Sequence, residues 1–337
     1  MNRSFATQAW VIWVVVIAVI TLVTRNPLYI IILLMVARIV QNACAVSSAA
    51  IGLHFWRLAA TVILASVVFN TLMVHFGQTI LFILPENWWL IGGTVTLEAV
   101  IYGAISGLSL VTLLALFLAF NAIVPASELI RLTPRAMANI GLVVLIAITY
   151  LPETMEQLKR IKEAQELRGH RIRGVSDWRP VVIPLLVGGL ERAMSLAETM
   201  VSRGYGATTE LRHSTKVQVV LAAGLLLTFA GWLLTLWFGR SGAILLMIGV
   251  VLVVGIFVWL GRQVTHTRYR TRSWNRWDWT LACCTLIPLV LVLFPFPFVD
   301  RSTLFYTPYP QAGVPPFDVL LGLGLAMLAV PAILVEL

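Results

Sequence analysis

The chain has 337 residues, 59% of them hydrophobic and 12% charged, with a mean hydropathy of +0.91. Too few polar side chains remain to cover a water-soluble globule of that length, so the expected class is an all-α polytopic membrane protein. The formal charge of +9 would suit a nucleic-acid binder, but Lys and Arg cluster in a few interhelical segments as cytoplasmic loops do, so the charge reads as topology and nucleic acid is not an expected partner.

The first apolar run, Ala9 to Val23, follows Arg3 without a small-residue cleavage site and reads as a retained span, stopped by Thr24-Arg25-Asn26-Pro27. A second run starts at Leu28 and carries Arg38, Gln41 and Asn42, with its end near Ser47 and Ser48. The third is expected from Leu58 to Leu84, with His75 inside it as a neutral histidine bonded to a neighbouring helix, or as a ligand or proton relay. Pro85-Glu86-Asn87-Trp88-Trp89 follows, a loop without Lys or Arg that is expected outside. The fourth span runs from Leu97 to Asn121. Glu98 reads as an interface carboxylate at its outer end, and Gly103 and Gly107 form a GxxxG spacing that allows close helix contact.

Pro125 to Pro134 fits a short interfacial helix with Arg131 towards water. Ala136 to Leu151 is apolar but roughly sixteen residues long, short for a span. Basic residues on both sides of it predict that it is buried or re-entrant and returns to the cytoplasmic side.

Two amphipathic patterns follow. Leu151, Met155, Leu158, Ile161 and Ala164 share one helical face, with Glu156 and Arg160, and Lys159 and Glu163, paired at i,i+4. In the second, Leu186, Leu190, Ala193, Ala197 and Met200 form an apolar stripe and Glu191, Ser195, Glu198 and Ser202 a polar one. Both patterns argue against a lipid-embedded span. Each ends in Arg-Gly, at Arg168-Gly169 and Arg203-Gly204, where glycine suits a left-handed C-cap and Arg complements the helix dipole. A guanidinium fork also suits carboxylates or carbonyls of a partner, so the paired ends read as a docking device.

Four more spans are expected, at Val217 to Phe238, Ala243 to Leu260, Leu281 to Val299 and Phe317 to Val335, giving eight with both termini inside. The segment GRQVTHTRYRTRSWNRWDW carries five arginines and three tryptophans and is expected inside, with anionic lipid headgroups as a possible ligand. The loop FPFPFVDRSTLFYTPYPQAGVPPF is then outside. Cys44, Cys283 and Cys284 lie in or beside apolar runs without zinc-site spacing. No Walker-type loop, HExxH or Ser, His and Asp constellation stands out, so neither a cofactor nor enzymatic chemistry is expected.

Gln165-Glu166-Leu167-Arg168-Gly169 and Met200-Val201-Ser202-Arg203-Gly204-Tyr205-Gly206 resemble the two Ala-Arg-Gly signatures of the transmembrane coupling subunit, the T component, of energy-coupling-factor (ECF) transporters, the CbiQ/EcfT family. Ile-Pro-Leu-Leu leading into Leu-Glu-Arg-Ala, the Leu-Pro before the first signature and Asn26-Pro27 are similar to it as well, so the resemblance covers about residues 20 to 235. It implies a coupling component of an ABC importer for vitamins or transition-metal ions in a prokaryotic inner membrane, with no catalysis of its own. Its implied partners are two ABC ATPase subunits, into which Arg168 and Arg203 dock, a substrate-binding membrane S component and the bilayer. Leu167 and Ser202 replace the family's alanine, which bears on how tightly each helix end packs. The expected organisation is N-terminal transmembrane helices in 1–121, cytoplasmic coupling helices in 122–210 and C-terminal transmembrane helices in 211–337. The rival reading is a self-contained secondary transporter, for which Arg38 and His75 are the candidate charges.

Overall fold

The computed structural model describes residues 5–44, 52–83, 94–133, 137–170, 174–205, 215–238, 240–263 and 274–336. The expected loop Pro85 to Trp89, the Ser47 and Ser48 cluster, Arg171 and Arg173, Gly206, and most of the Arg-rich and Trp-rich segment before Trp274 lie outside the described residues. Twelve α-helices are described: α1 (Thr7–Val23), α2 (Pro27–Cys44), α3 (Gly52–Met73), α4 (Leu97–Ile123), α5 (Ala126–Ile130), α6 (Ala138–Leu167), α7 (Arg179–Ser202), α8 (Thr215–Phe238), α9 (Arg240–Gln263), α10 (Arg276–Leu293), α11 (Val319–Ala326) and α12 (Val330–Glu336). The class is the expected one, an all-α polytopic membrane protein, with one small β-pair among the described residues.

Among the described residues eight helices are long and apolar enough to cross a membrane: α2, α3, α4, α6, α7, α8, α9 and α10. The number equals the expected count, but the membership differs. The first and last expected spans are apolar yet shorter, at Thr7–Val23 and Val319–Val335, the latter broken into α11, a 3₁₀ turn (Met327–Ala329) and α12. In their place stand α6 and α7, so amphipathic striping does not by itself exclude these two from lipid.

Over its described residues, from Ala138, the apolar run is not a separate re-entrant element. It continues without a break through Pro152 into a 30-residue helix, α6, about 45 Å long. Counting only the apolar residues made it look too short, whereas a helix ends where its backbone is capped. The third expected span is also corrected, because α3 stops at Met73 and the chain turns into strand β1 (Ile80–Ile83). Gly77, at φ +155°, leaves the helical conformation there, and β1 pairs antiparallel with β2 (Thr94–Thr96). A short apolar run such as Ile80-Leu81-Phe82-Ile83 suits either helix or strand, so periodicity could not decide it. The span expected to reach Val299 ends at Leu293, just before the prolines at 295 and 297, and starts earlier at a capping box on Asn275. The expected short helix at Pro125 is five residues long, α5.

The chain divides into two units, Met1–Leu129 with Arg270–Leu337, and Ile130–Tyr269. In the first unit, α10 to α12 pack onto α1 and α2. Trp13, Ile17 and Ile20 of α1 share a core with Tyr29, Leu281 and Leu328, and Trp13 Nε1 donates to Leu328 O at 3.0 Å. Asn26 Nδ2 donates to Thr303 O at 2.8 Å and to Pro316 O at 2.6 Å, and the Arg25 amide donates to Leu304 O, which ties the 294–318 loop to the α1–α2 turn. Within that loop the Ser302 hydroxyl and amide both donate to Asp300, holding its carboxyl below the usual carboxylate range. The GxxxG expectation holds: a Cβ on Gly103 or Gly107 would press on the α3 backbone at Val67 or Ile63, and Ser66 Oγ donates to Gly103 O at 2.9 Å.

In the second unit, α8 and α9 form a hairpin closed by glycine. Cβ atoms on Gly231, Gly242 and Gly249 would strike the facing backbone at Leu246, Thr235 and Thr228. Such approach supplies dispersion contact where lipid offers no hydrophobic drive between helices. Gly255, further along α9, faces open space. Gly231→Val should therefore cost about 1–3 kcal/mol and lower the melting temperature of the purified protein. Gly255→Val should leave it unchanged, and equal shifts would contradict this account of the hairpin.

Candidate functional site

Helices α6 and α7 form an antiparallel pair. Gln165 Nε2 donates to Pro180 O at 3.3 Å, Gly188 faces Gln157, and Arg192 Nη1 donates to Glu153 Oε1 at 3.1 Å while its Nη2 donates to Gln157 Oε1. Arg192 is the strongest fastening between the two helices, and it was not singled out from sequence. Its partners lie 35 and 39 positions away, so no local pattern could have named it. The expected pairs along α6 are present, Arg160 Nη2 to Glu156 Oε1 at 2.6 Å and Lys159 Nζ to Glu163 Oε1 at 4.0 Å. Both are exposed and contribute little, about 0.3–0.5 kcal/mol each.

The two Arg-Gly sequences build the same backbone. Arg168 is the C-cap of α6 at φ −80°, ψ 5°, and Arg203 that of α7 at φ −85°, ψ 7°. Gly169 and Gly204 follow in the left-handed region, at φ +80° and +77°. In each case the amide two residues past the cap returns to the helix, His170 N to Gln165 O at 3.0 Å and Tyr205 N to Met200 O at 2.9 Å. The glycine amides donate to Glu166 O and Val201 O, both at 2.9 Å. This is the Schellman arrangement, which satisfies the last carbonyls without help from another segment. Leu167 and Ser202, the last residues of the two helices, are exposed, Leu167 at 90%. The Ser202 hydroxyl turns back to Thr199 O.

Arg168 and Arg203 are exposed, and neither side chain makes a hydrogen bond or ion pair among the described residues. They are not brought together. The inter-helix contacts run from Gln165 and Pro180 to Glu153 and Arg192; Arg168 lies just past one end of that zone and Arg203 about three turns past the other. They are two separate tips rather than one pocket. Between them, the stripe residues Leu186, Leu190, Ala193 and Ala197 are exposed and Met200 is half-buried, so most of this face of α7 stays uncovered among the described residues.

The charges that a self-contained transporter would need do not converge. Arg38 lies over Phe55 in the opening turn of α3, while His75 follows the far end of that helix, outside it, with its carbonyl accepting from Thr94 Oγ1. About 27 Å of helix rise separates the two levels. Glu98 is fully buried at the start of the fourth span: in the first turn of α4 it accepts from the Thr79 amide at 3.1 Å and the Thr79 hydroxyl at 2.7 Å.

A multi-pass helical membrane protein with two Arg-tipped helices in one hairpin is the class these features define. The family model described as cobalt transport protein, CbiQ, matches residues 3–216. The chain belongs to the CbiQ family. It is 31% identical over 110 residues to the energy-coupling factor transporter transmembrane protein EcfT of Exiguobacterium sibiricum, covering 27% of this chain and 41% of that protein. It is 31% identical over 107 residues to EcfT of Streptococcus thermophilus, covering 27% and 40%, and 33% identical over 75 residues to that of Leuconostoc gelidum, covering 20% and 28%. The chain thus matches less than half the length of each of these relatives, and α8 to α12 lie almost wholly beyond the family match.

Replacing either glycine by alanine forces a Cβ into the left-handed region at a cost of about 1 kcal/mol. Gly169→Ala should accelerate hydrogen exchange at the His170 amide, and Gly204→Ala at the Tyr205 amide, each by roughly fivefold. Unchanged protection at both would contradict the two caps.

Proposed function

We propose that this chain is the transmembrane coupling component of an energy-coupling-factor-type ABC importer for vitamins or transition-metal ions, passing ATP-driven closure of two ATPase subunits to a substrate-binding membrane subunit. One observation carries the reading: two helix ends of the same backbone geometry, at opposite ends of one hairpin, each presenting an exposed Arg free of intramolecular partners among the described residues. A guanidinium offers five N–H donors in a rigid fork, and it makes charge-assisted bonds to carboxylates or carbonyls set opposite it. Two tips set apart suit two similar grooves on two subunits.

The tips are assigned to the cytoplasmic side, supported by Lys159, Arg160, Lys162, Arg168, Arg179, Arg192 and Arg203 on the two helices. On this reading residues 122–210 are the cytoplasmic coupling segment, and 1–121 and 211–337 hold the membrane helices in the inner membrane of a prokaryotic cell. Closure of the ATPases draws Arg168 and Arg203 with it. The Arg192 clamp to Glu153 and Gln157 makes α6 and α7 move as a pair. The stripe Leu186, Leu190, Ala193, Ala197 and Met200 carries the substrate-binding subunit along. Hydrolysis belongs to the ATPase subunits, and this chain catalyses nothing.

Tagged chain recovered from native membranes should bring down ABC-type ATPase subunits. With both Arg168→Glu and Arg203→Glu the chain should still insert, but recovery of the ATPases should fall by about a hundredfold, the effect of opposing two docked charges. Full recovery with the double variant would sink the docking assignment. Recovery of the ATPases without any second membrane subunit would sink the coupling role.

A further inference from the structure

Arg38 interrupts the apolar sequence of α2 six residues before its end at Cys44, about 9 Å along the axis. Helical side chains tilt towards the N-terminus, yet Arg38 reaches the other way: Nη1 donates to Gln41 Oε1 at 2.7 Å, nearly one turn further on. Its guanidinium carbon stands 4.4 Å from the Phe55 ring centroid and 6.0 Å from that of Trp56, both in the opening turns of α3. The cation thereby lies near the level where one candidate span ends and the next begins, where a membrane-spanning pair meets the headgroup region.

Gln41 is neutral and occupies one N–H of five. Among the described residues no carboxylate pairs with Arg38. Two buried acids are used elsewhere: Glu98, towards the far end of α3, by Thr79, and Asp278 by the Ala6 amide and its own N-cap. Residues 45–51, which join α2 to α3, contain no Asp or Glu. A charge in an apolar helix needs a counter-charge, and none is supplied among the described residues. The two rings divide the roles, since Phe55 is 2% exposed and fixed in the core whereas Trp56 is 57% exposed and faces outward. Arg57, also exposed, adds a second cation beside it. A partly covered Arg at the boundary, flanked by an outward Trp, faces the depth at which lipid phosphates lie.

We propose that Arg38 and Trp56 form a binding site for the phosphodiester of an anionic phospholipid, with Arg38 as the anchoring cation over the Phe55 ring and the buried Gln41 holding its guanidinium in place. The site is independent of the ATPase-docking reading and stands or falls separately from it.

The test is native mass spectrometry of the full-length chain in detergent, titrated with phosphatidylglycerol and with phosphatidylcholine. One phosphatidylglycerol should be retained preferentially, and Arg38→Gln should reduce its retention about tenfold, as expected for loss of a charge-assisted contact. Arg38→Lys should keep part of it, and Arg262→Gln, which removes the same charge from α9, should keep all. If Arg38→Gln does not yield folded protein, Trp56→Ala, altering an exposed ring, should still lower retention. Equal retention by wild type and both variants overturns the site, as does equal retention of phosphatidylcholine. Displacement of the lipid by excess inorganic phosphate assigns the site to a free anion and overturns it as a lipid site. Loss of a co-purifying membrane protein on Arg38→Gln, with lipid retention unchanged, assigns Arg38 to a partner carboxylate and overturns it too.

Discussion

A helix leaves four N–H groups and four C=O groups unpaired at its ends, and inside a bilayer no water is available to take them. In this chain the helix ends are closed in two ways. In the first unit a side chain closes several ends: Asp278 takes the Ala6 amide at 2.7 Å and caps its own helix, Asp318 takes the Leu320 amide, and Asn26 binds the loop that crosses the α1–α2 turn. Where an end projects, at α6 and α7, glycine closes it locally and no other segment is needed. The first kind fastens the chain to itself. The second leaves an end free to be grasped.

Packing divides along the same line. The first unit holds large interlocked side chains such as Trp13, Tyr29 and Leu116, all fully buried. The α8–α9 hairpin relies on glycine, bringing two backbones so close that a single methyl group would force them apart. Contacts of that kind make a rigid pair from sequence of nearly uniform hydrophobicity. They leave its outer surface apolar, as at Ile244, Met247 and Val251 of α9.

The α6–α7 pair is built differently, and its construction matches the coupling role proposed for it. Its two helices are joined by a polar clamp at Arg192 rather than by deep interdigitation, and their apolar faces stay open. A lever has to be stiff between its points of contact and uncommitted at them. The clamp provides the first property, and the self-closed helix ends with exposed Arg168 and Arg203 provide the second.

Much of this was readable from local patterns. Hydrophobic content determined the class, the Gly103 and Gly107 spacing marked a close helix contact, and Arg followed by Gly marked both helix ends, because capping and helical neighbourhood act over three to five residues. Several corrections share one cause. Apolar run length weighs heavily in the readings of 138–151, 80–83 and His75, and length does not reveal where a backbone turns at Gly77 or continues past Pro152. Only the tertiary structure decided that the last helices pack onto the first, that Arg192 joins α6 to α7, that the two Arg tips lie apart, and that Arg38 lies over a ring of the next helix. Those are matters of which face meets which across tens to hundreds of positions. A helix that is apolar nearly all round carries no stripe to say which of its faces will be covered.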